Sequence, residues 1–279
     1  MEAGLYIVAT PIGNLGDITQ RALDVLGAAD LVAAEDTRHT QRLLQHFGIQ
    51  ARVMAYHDHS DERAIQRIAD VLAGGGRVAL VSDAGTPLIS DPGYRLVRDL
   101  QDAGHRVIPV PGACAAIAAL SVCGLSTDRF HFEGFLPARA GQRARRLTEL
   151  AALPSTLVFY EAPHRVAETL VDMVAVFGEA REATLAREVT KAFETVRRGT
   201  LQDLAELVAG DANQRRGEIV LVVSGSDPVE AELDARTLAL LCRLGEELPA
   251  RTAAAVVAEY SGLRRNVLYQ ALLAQRDAD

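Results

Sequence analysis

“RVALVSDAGTPLIS” (residues 77–90) joins an uninterrupted apolar run to a polar bend, and this junction indicates the fold class. The run at residues 78–81 is short and bounded by turn residues, which is typical of a strand covered on both faces in a parallel sheet. Ligands of open α/β sheets bind at the carboxyl ends of such strands, where this chain has Asp83, Gly85 and Thr86. A plain β-turn that needs Asp and Gly only for its backbone explains the same residues, so both interpretations stay open at this point.

Composition places the chain among globular proteins of more than one domain. Its 279 residues exceed a single typical core and predict two domains with room for a small third. A hydrophobic content of 49% beside 24% charged residues argues against a disordered chain. The formal net charge of −8 argues against indiscriminate nucleic-acid binding, so an RNA partner would have to meet a local basic patch.

Cysteine usage and the apolar runs indicate a cytoplasmic protein without a membrane anchor. Cys114, Cys123 and Cys242 have no metal-ligand spacing and cannot all pair, which fits a reducing compartment. The N-terminus enters a strand pattern at once and lacks the basic start of a signal peptide. Residues 107–127 carry no charge, but two prolines and several small residues interrupt them, and we expect no membrane helix there.

Short apolar strands alternate with amphipathic helices, which predicts an α/β fold with parallel pairing. A first helix is predicted to begin near Asp17 or Thr19, either of which could cap it. The first four predicted strands are “LYIVA” (5–9), “DLVAAE” (30–35), “RVALVS” (77–82) and “HRVIPV” (105–110). A second sheet is predicted from “RFHFEGF” (129–135), “TLVFYE” (156–161), “EATLARE” (182–188), “ETVRRGT” (194–200) and “GEIVLVVSG” (217–225).

This pattern divides the chain into three predicted parts. An N-terminal α/β domain covers residues 1–111, and a second α/β domain covers residues 112–228. Residues 233–279 have no strand signal and read as a helical appendage, with a turn at Ser261-Gly262 that gives it the pattern of a helix-turn-helix.

Polar side chains follow several of the predicted strands. “AAEDTRHT” supplies Asp36 and His39 at the sheet edge where Asp83 also lies, and “LAREVTKAFET” supplies Glu188 and Lys191 in the second half. A solvated loop or structural ion pairs would explain each cluster by itself. Strand ends that face one cleft favour a functional site.

“YHDHSDE” and “PARAGQRARR” are two further polar clusters. His57, Asp58 and His59 make a weak metal site because neighbouring residues of a strand point to opposite faces, and we expect no bound metal. Arginines without an intervening acid predict an electropositive patch that would bind RNA, although an exposed helix face explains any one of them. The candidate RNA contacts are Arg139, Arg143, Arg145 and Arg146, with Arg264 and Arg265 of the helical appendage.

Nine segments together resemble one known family in order and spacing: “LYIVATPIGNLGDIT”, “AAEDTRHT”, “HDH”, “LVSDAGTPLISDPG”, “VPGACAAI”, “EGFLP”, “FYEAPHR”, “LAREVTK” and “GEIVLVV”. The family is the bacterial ribosomal RNA small-subunit methyltransferase I group of the tetrapyrrole methylase superfamily, and the resemblance covers nearly the whole chain. It implies two α/β domains with S-adenosylmethionine in the cleft between them, and a homodimer. It also implies 2′-O-methylation of a cytidine in the decoding centre of 16S rRNA, within the small ribosomal subunit.

A ribose hydroxyl is a poor nucleophile while protonated, so methyl transfer to it needs a group that accepts its proton. Lys191 and Glu188 rank first as proton acceptor for the ribose hydroxyl, before Asp36 and His39. Lys191 would have to be neutral to act as the base; otherwise it stabilises the developing alkoxide. The cofactor contacts that the resemblance implies are Pro11, Asp83, Gly85, Thr86, Ala113, Cys114, Ala115, Phe159, Pro163 and Ile219.

Two other functions stay open beside RNA methylation. One is a small-molecule methyltransferase that acts on tetrapyrrole precursors, and the other is a non-catalytic ribosome-binding protein. “TPIGNLGD” and “PGACAA” depart from the glycine-richer and hydroxyl-richer forms common among relatives that modify tetrapyrroles, which favours the RNA substrate.

Overall fold

The computed structural model describes residues 1–57, 62–226 and 233–278. The chain separates into two units, Met1–Gly225 and Ser226–Asp279. Both sheets belong to the first unit, so the two α/β domains predicted on either side of residue 111 form one unit by their contacts. Asp58 and His59 of the weak metal cluster lie outside the described residues.

The first sheet has five strands in the order β3-β2-β4-β1-β5, and every neighbouring pair is parallel. Its central strands are buried on both faces: Leu80 packs into one apolar cluster, whereas Ala79 and Val81 pack into the other. The parallel sheet predicted from the opening stretch is therefore confirmed. The strands are β1 (Gly4–Val8), β2 (Leu31–Ala34), β3 (Val53–Ala55), β4 (Arg77–Val81) and β5 (Val107–Val110).

Four helices connect these strands, and side chains cap the first two. Thr19, not Asp17, caps the first helix, because its hydroxyl accepts the Ala22 N–H, while Asp17 lies in a short 3₁₀ turn before it. Asp36 caps the second helix by accepting the Arg38 N–H. The helices are α1 (Gln20–Ala28), α2 (Thr37–His46), α3 (Glu62–Ala73) and α4 (Tyr94–Asp102).

The second sheet is mixed, in the order β6-β7-β10-β8-β9. Only β6 and β7 are parallel, and the other three pairs are antiparallel, so parallel pairing is wrong for most of this sheet. The short loop at residues 188–194 links β8 to β9 without a crossover helix, and such a loop can join only antiparallel strands. The strands are β6 (Phe130–Phe135), β7 (Thr156–Glu161), β8 (Glu182–Arg187), β9 (Thr195–Thr200) and β10 (Ile219–Val223).

Helices cover both faces of the second sheet. α5 packs on one face through Ala116, Ala119 and Leu120, which meet Val158 and Val220 of the sheet. The other three helices enclose the larger core on the opposite face. The four helices are α5 (Ala115–Val122), α6 (Ala140–Leu150), α7 (Val166–Phe177) and α8 (Leu201–Gly210).

The second unit contains three helices in its described part, with an apolar core of their own. Gly262 ends the middle helix in a left-handed conformation, with φ of 73°, at the turn predicted from Ser261-Gly262. In the described ranges, no helix of the chain is long and apolar enough to cross a bilayer. The helices are α9 (Ala235–Glu247), α10 (Ala250–Ser261) and α11 (Arg265–Ala278).

Candidate active site

A cavity of about 360 Å³ lies in the first unit where loops of the first sheet meet the second sheet. This volume is within the range of about 300–1,000 Å³ that small-molecule sites occupy. The lining residues are Ile12, Ala84, Ser90, Asp91, Ala115, Phe135, Tyr160, Glu161, Ala162, Pro163, Val189, Gly217, Glu218, Ile219 and Val220.

Main-chain hydrogen bonds tie the loops that follow the strands of the first sheet. Thr10 and Gly85 each donate an N–H to the other's carbonyl, over 2.9 and 3.0 Å. Gly85 has φ of 83°, and a Cβ there would lie 3.3 Å from Ile12 Cγ2, so glycine suits this close approach. The hydroxyl of Thr86 donates to the Ala113 carbonyl over 3.0 Å. The loops after β1, β4 and β5 are therefore held together at one edge.

Asp83 connects the loop after β2 to the same edge. Its Oδ1 accepts the Asp36 N–H over 3.0 Å. Asp36 itself forms an ion pair with Arg38 at 3.2 Å, and this hydrogen-bonded pairing lowers the pKa of Asp36. His39 is exposed on α2. None of the four predicted catalytic residues lines the cavity. Lys191 and Glu188 contact the lining residue Glu218, whereas Asp36 pairs with Arg38 and His39 is exposed, so the geometry does not support Asp36 or His39 as proton acceptor.

Lys191 lies against Gly13, in the loop that follows β1, and between two carboxylates. A Cβ on Gly13 would be 2.3 Å from Lys191 Cγ, so the lysine stem occupies the space that this glycine leaves. Lys191 Nζ is 2.9 Å from Glu188 Oε1 and 3.1 Å from Glu218 Oε2. Burial lowers the pKa of Lys191, but the hydrogen bonds to both carboxylates outweigh it and the net pKa is raised. The raised pKa favours the charged form of Lys191, and of its two predicted roles this supports stabilisation of the developing alkoxide over action as a neutral base.

The hairpin that carries Lys191 is held in a strained conformation. Glu188 and Thr190 are non-glycine residues with φ of 54° and 70°, a region that costs about 1–3 kcal/mol per residue. The Glu188 N–H donates to the Glu218 carbonyl over 2.8 Å. The buried Arg187 donates from Nη2 to the Phe193 carbonyl over 3.0 Å, which closes the base of the hairpin. Such strain is typical of functional loops.

Glu188 is a weaker base than a free carboxylate. Burial raises its pKa, but hydrogen bonds from Lys191 and from the Glu218 N–H outweigh this, and the net pKa is lowered. Its side chain fills the space beside Gly217, where a Cβ would lie 2.3 Å from Glu188 Cδ. Glu188 therefore holds Lys191 in place.

Asp91 is a cavity residue that was not among the predicted site residues. Burial raises its pKa, the charge of Asp83 adds to this rise, and a hydrogen bond with Ser82 partly opposes it. Asp91 belongs to “SDPG”, at the end of the segment in which Leu88 and Ser90 have φ of 73° and 64°. Its acidic side chain was visible in the sequence, but the backbone path that returns it to the cavity was not.

We expect Asp91→Asn to stabilise the chain near neutral pH. The folded chain holds the Asp91 proton to a higher pH than the unfolded chain does, so its contribution to stability is present below about pH 4 and is lost as the pH rises through the raised pKa. Thermal unfolding at several pH values should show a higher Tm for the variant at pH 7 and equal values near pH 3. An advantage that is larger in acid would contradict the assignment.

Comparison with known proteins places the chain in a family. Residues 4–205 match the model of the tetrapyrrole (corrin/porphyrin) methylases, and residues 231–276 match the RsmI C-terminal HTH domain. The ribosomal RNA small subunit methyltransferase I of Escherichia coli O157:H7 is 54% identical over 99% of this chain and 96% of its own length. That of Pseudomonas aeruginosa is 55% identical over 98% of each chain. The chain belongs to the ribosomal RNA small subunit methyltransferase I family.

Solved structures show that the fold of this chain is shared more widely. A diphthine synthase aligns with a TM-score of 0.60 at 16% identity, over 79% of this chain and 89% of that one. A cobalt precorrin-4 methyltransferase aligns with a TM-score of 0.59 at 20% identity, over 80% and 96%. At these identities the likeness shows the fold.

The structure brings part of the predicted cofactor contacts to the cavity. Ala115, Pro163 and Ile219 line it. Pro11 adjoins the lining residue Ile12, Asp83 and Gly85 flank the lining residue Ala84, and Ala113 and Cys114 precede Ala115. Thr86 acts in the loop tie described above.

Phe159 is the exception in this set. Its side chain is 0% exposed and packs in the large core under α6, α7 and α8. Side chains alternate along a strand, so the next residue, Tyr160, faces the cavity in its place. Tyr160 accepts the Ala116 N–H at its hydroxyl over 3.2 Å, and burial raises its pKa.

Two of the four arginines on and beside α6 are neutralised by acids from other elements. Arg143 is 2% exposed, and its Nε lies 2.6 Å from Asp172 Oδ2 of α7. Arg146 donates to both carboxylate oxygens of Glu133 over 2.6 and 2.8 Å. The predicted patch is thus wrong for both, because their partners are distant in sequence. Arg139 and Arg145 are exposed, as are Arg264 and Arg265 in the second unit.

Proposed function

We propose that this chain transfers a methyl group from S-adenosylmethionine to the 2′-hydroxyl of a cytidine in the decoding centre of 16S rRNA, within the small ribosomal subunit. The observation that carries this proposal is identity of 50–55% over nearly the whole chain to relatives named ribosomal RNA small subunit methyltransferase I. We also propose that the protein is a homodimer in the cytoplasm, as the family resemblance implies. Light scattering during gel filtration would test the dimer.

The cavity has the chemistry that S-adenosylmethionine requires. The cofactor combines an adenosine with a sulfonium cation, so it needs apolar walls and nearby negative charge. Ile12, Val189 and Ile219 supply apolar walls, and the carboxylates of Asp91 and Glu218 supply the negative charge. When bound, the cofactor supplies an electrophilic methyl carbon. The residues that would hold it are Ala84, Gly85, Ala115, Tyr160, Pro163 and Ile219.

Two groups of the chain act on the ribose hydroxyl: one stabilises the negative charge that develops on its oxygen, and the other accepts its proton. Lys191 is protonated, so its ammonium stabilises the negative charge that develops on the ribose oxygen. Among the carboxylates with a resolved shift near the cavity, Asp91 has a raised pKa, whereas that of Glu188 is lowered. Asp91 also lines the cavity, which Glu188 does not, so Asp91 is the candidate acceptor for the hydroxyl proton.

Arg215 and Arg216 are candidates for the contacts with RNA phosphates. They directly precede the cavity residues Gly217 and Glu218, and both are exposed. Neither side chain makes a hydrogen bond or ion pair to another residue in the part of the chain that the structure describes. On a chain of net charge −8, these two exposed cations beside the cavity supply the local positive charge that an RNA substrate needs.

Replacement of both arginines by alanine should weaken binding of small subunits and reduce its salt dependence. Each lost phosphate contact lowers the slope of log K against log salt by about 0.7–0.9, so we expect a total change of about 1.5. Filter binding across a salt series measures the slope. Arg63→Ala/Arg67→Ala is the matched control, because both arginines lie exposed on α3, which contributes nothing to the cavity. Equal slopes for the two double variants would contradict the contact.

Transfer of tritiated methyl groups tests the proposed function directly. Small subunits that lack the modification should be labelled at a cytidine ribose. Naked 16S rRNA and a tetrapyrrole precursor serve as parallel substrates. Labelling of the tetrapyrrole alone would support the small-molecule methyltransferase, and binding of subunits without any labelling would support a non-catalytic ribosome-binding protein.

A further inference from the structure

β6 contains a bulge that changes the direction of Phe135. Phe132 pairs with Val158 of β7 and Gly134 pairs with Phe159, so Glu133 is one extra residue in the strand. Side chains of a regular strand alternate between faces, and residues 132 and 135 would then point to opposite sides. The bulge restores both to one side, which is a known effect of bulges beside functional sites.

Phe135 is therefore on the same face as Tyr160, its partner in the register. The two rings meet edge to face with centroids 5.7 Å apart, and Phe132 makes a similar contact with Tyr160 at 5.0 Å. Phe135 lines the cavity, yet 56% of its surface remains exposed. One ring of this aromatic group is thus held in place and open to solvent at the cavity.

Several contacts fix the bulge itself. The carboxylate of the extra residue, Glu133, receives two hydrogen bonds from Arg146 and lies 3.0 Å from His131 Nε2. Gly134 has φ of 73°, and a Cβ there would be 2.8 Å from Ser90 Oγ. Glycine thus permits both the left-handed backbone and the approach of the segment that carries Ser90 and Asp91.

The residues after Phe135 are fixed as well. Arg165, at the start of α7, donates from Nη2 to the Leu136 carbonyl over 2.8 Å and contacts the Pro137 carbonyl at 3.3 Å. Polar contacts on both sides thus determine where this exposed ring points.

We propose that Phe135 is the stacking surface for the base of an unpaired nucleotide of the RNA substrate. This inference rests on the proposed function. A ribose hydroxyl inside a duplex cannot reach a methyl carbon in a cavity, so the target nucleotide leaves its stack and its base needs a new apolar face. Aromatic side chains supply that face for any base, and the exposed arginines Arg215 and Arg216 beside the same cavity suit the attached phosphates. Phe135 therefore contributes affinity and not base identity.

Phe135→Leu tests the proposal, because leucine retains apolar packing on Tyr160 without a ring face. We expect affinity for unmodified small subunits to fall about tenfold or more, and affinity for S-adenosylhomocysteine by calorimetry to stay within about twofold. Phe135→Trp should restore subunit binding. Phe130→Ala is the matched control, since Phe130 is an aromatic residue of the same strand, 47% exposed, that does not line the cavity.

A fluorescence measurement separates this proposal from the proposed function. A short single-stranded RNA with 2-aminopurine beside the cytidine should lose fluorescence on binding the wild-type protein, but not on binding Phe135→Leu. This signal needs no methyl transfer, so it would persist even if no RNA were methylated. If Phe135→Leu lost as much affinity for S-adenosylhomocysteine as for small subunits, the ring would be assigned to the cofactor's adenine instead. The proposal would also be overturned if Phe135→Leu bound small subunits as tightly as Phe130→Ala does.

Discussion

Lys191→Met should lower the rate of methyl transfer by about 10²–10³-fold, the usual effect of removing one group that stabilises a developing oxyanion. Methionine retains an apolar stem beside Gly13 but carries no charge. The cavity walls made by Ala115, Pro163 and Ile219 are unchanged, so affinity for S-adenosylhomocysteine should stay within about twofold. Single-turnover transfer to unmodified small subunits gives the rate, and calorimetry gives the affinity.

Gly13→Ala provides a second test of the same contact without altering Lys191. The added methyl group would overlap the lysine stem, so the ammonium must move away from the position it shares with Glu188 and Glu218. The rate should fall although every charged group is present. Gly16→Ala is the matched control, since its Cβ would meet only Asn14 Oδ1, at 3.2 Å. A rate equal to the wild-type in both Lys191→Met and Gly13→Ala would refute the role of Lys191.

Arg165→Met should destabilise the first unit by about 3–5 kcal/mol, the usual cost of leaving a buried charge without its partner. The side chain of Glu161 is 0% exposed, and Arg165 Nε lies 3.4 Å from its Oε1. Thr169 Oγ1 and the Ala162 N–H also donate to this carboxylate, but neither carries a positive charge. Denaturant unfolding monitored by circular dichroism measures the change.

A double variant separates the buried charge from packing. Arg165→Met/Glu161→Met removes both charges, so it should be more stable than Arg165→Met alone, although it has one more substitution. Lower stability of the double variant would show that the ion pair is not the source of the effect. Arg145→Met is the matched control, because Arg145 is an exposed arginine whose pairing with Glu149 at 3.7 Å should contribute little.

Local sequence was sufficient for four of the five strands of the first sheet and for the edge where its loops meet. The apolar run before Asp83 predicts a buried parallel strand, and the loops that follow such strands converge at one edge. β3 escaped prediction because it has only three residues, Val53–Ala55, too few for any periodicity. Two of the three antiparallel pairs of the second sheet, β10 with β7 and β10 with β8, join strands that are distant along the chain, and a periodic pattern does not contain such pairings.

In the candidate site, too, local sequence predicts some features, whereas others depend on residues that are distant along the chain. Lys191 and Glu188 stand out as polar residues after a strand, but the approach of Glu218, which keeps the lysine charged, comes from the start of β10. Arg143 and Arg146 look cationic in sequence because Asp172 and Glu133 are distant along the chain. The sequence does not single out Phe135, because the only trace there of the bulge that reverses its side chain is Gly134.

The reciprocal bond between Thr10 and Gly85 uses only main-chain atoms. The neighbouring cavity residues Ile12 and Ala84 can therefore be replaced without loss of the two hydrogen bonds that join the loops after β1 and β4. Substitutions at these two positions are therefore a way to enlarge the cavity for a bulkier analogue of the methyl donor while the loops around it keep their arrangement.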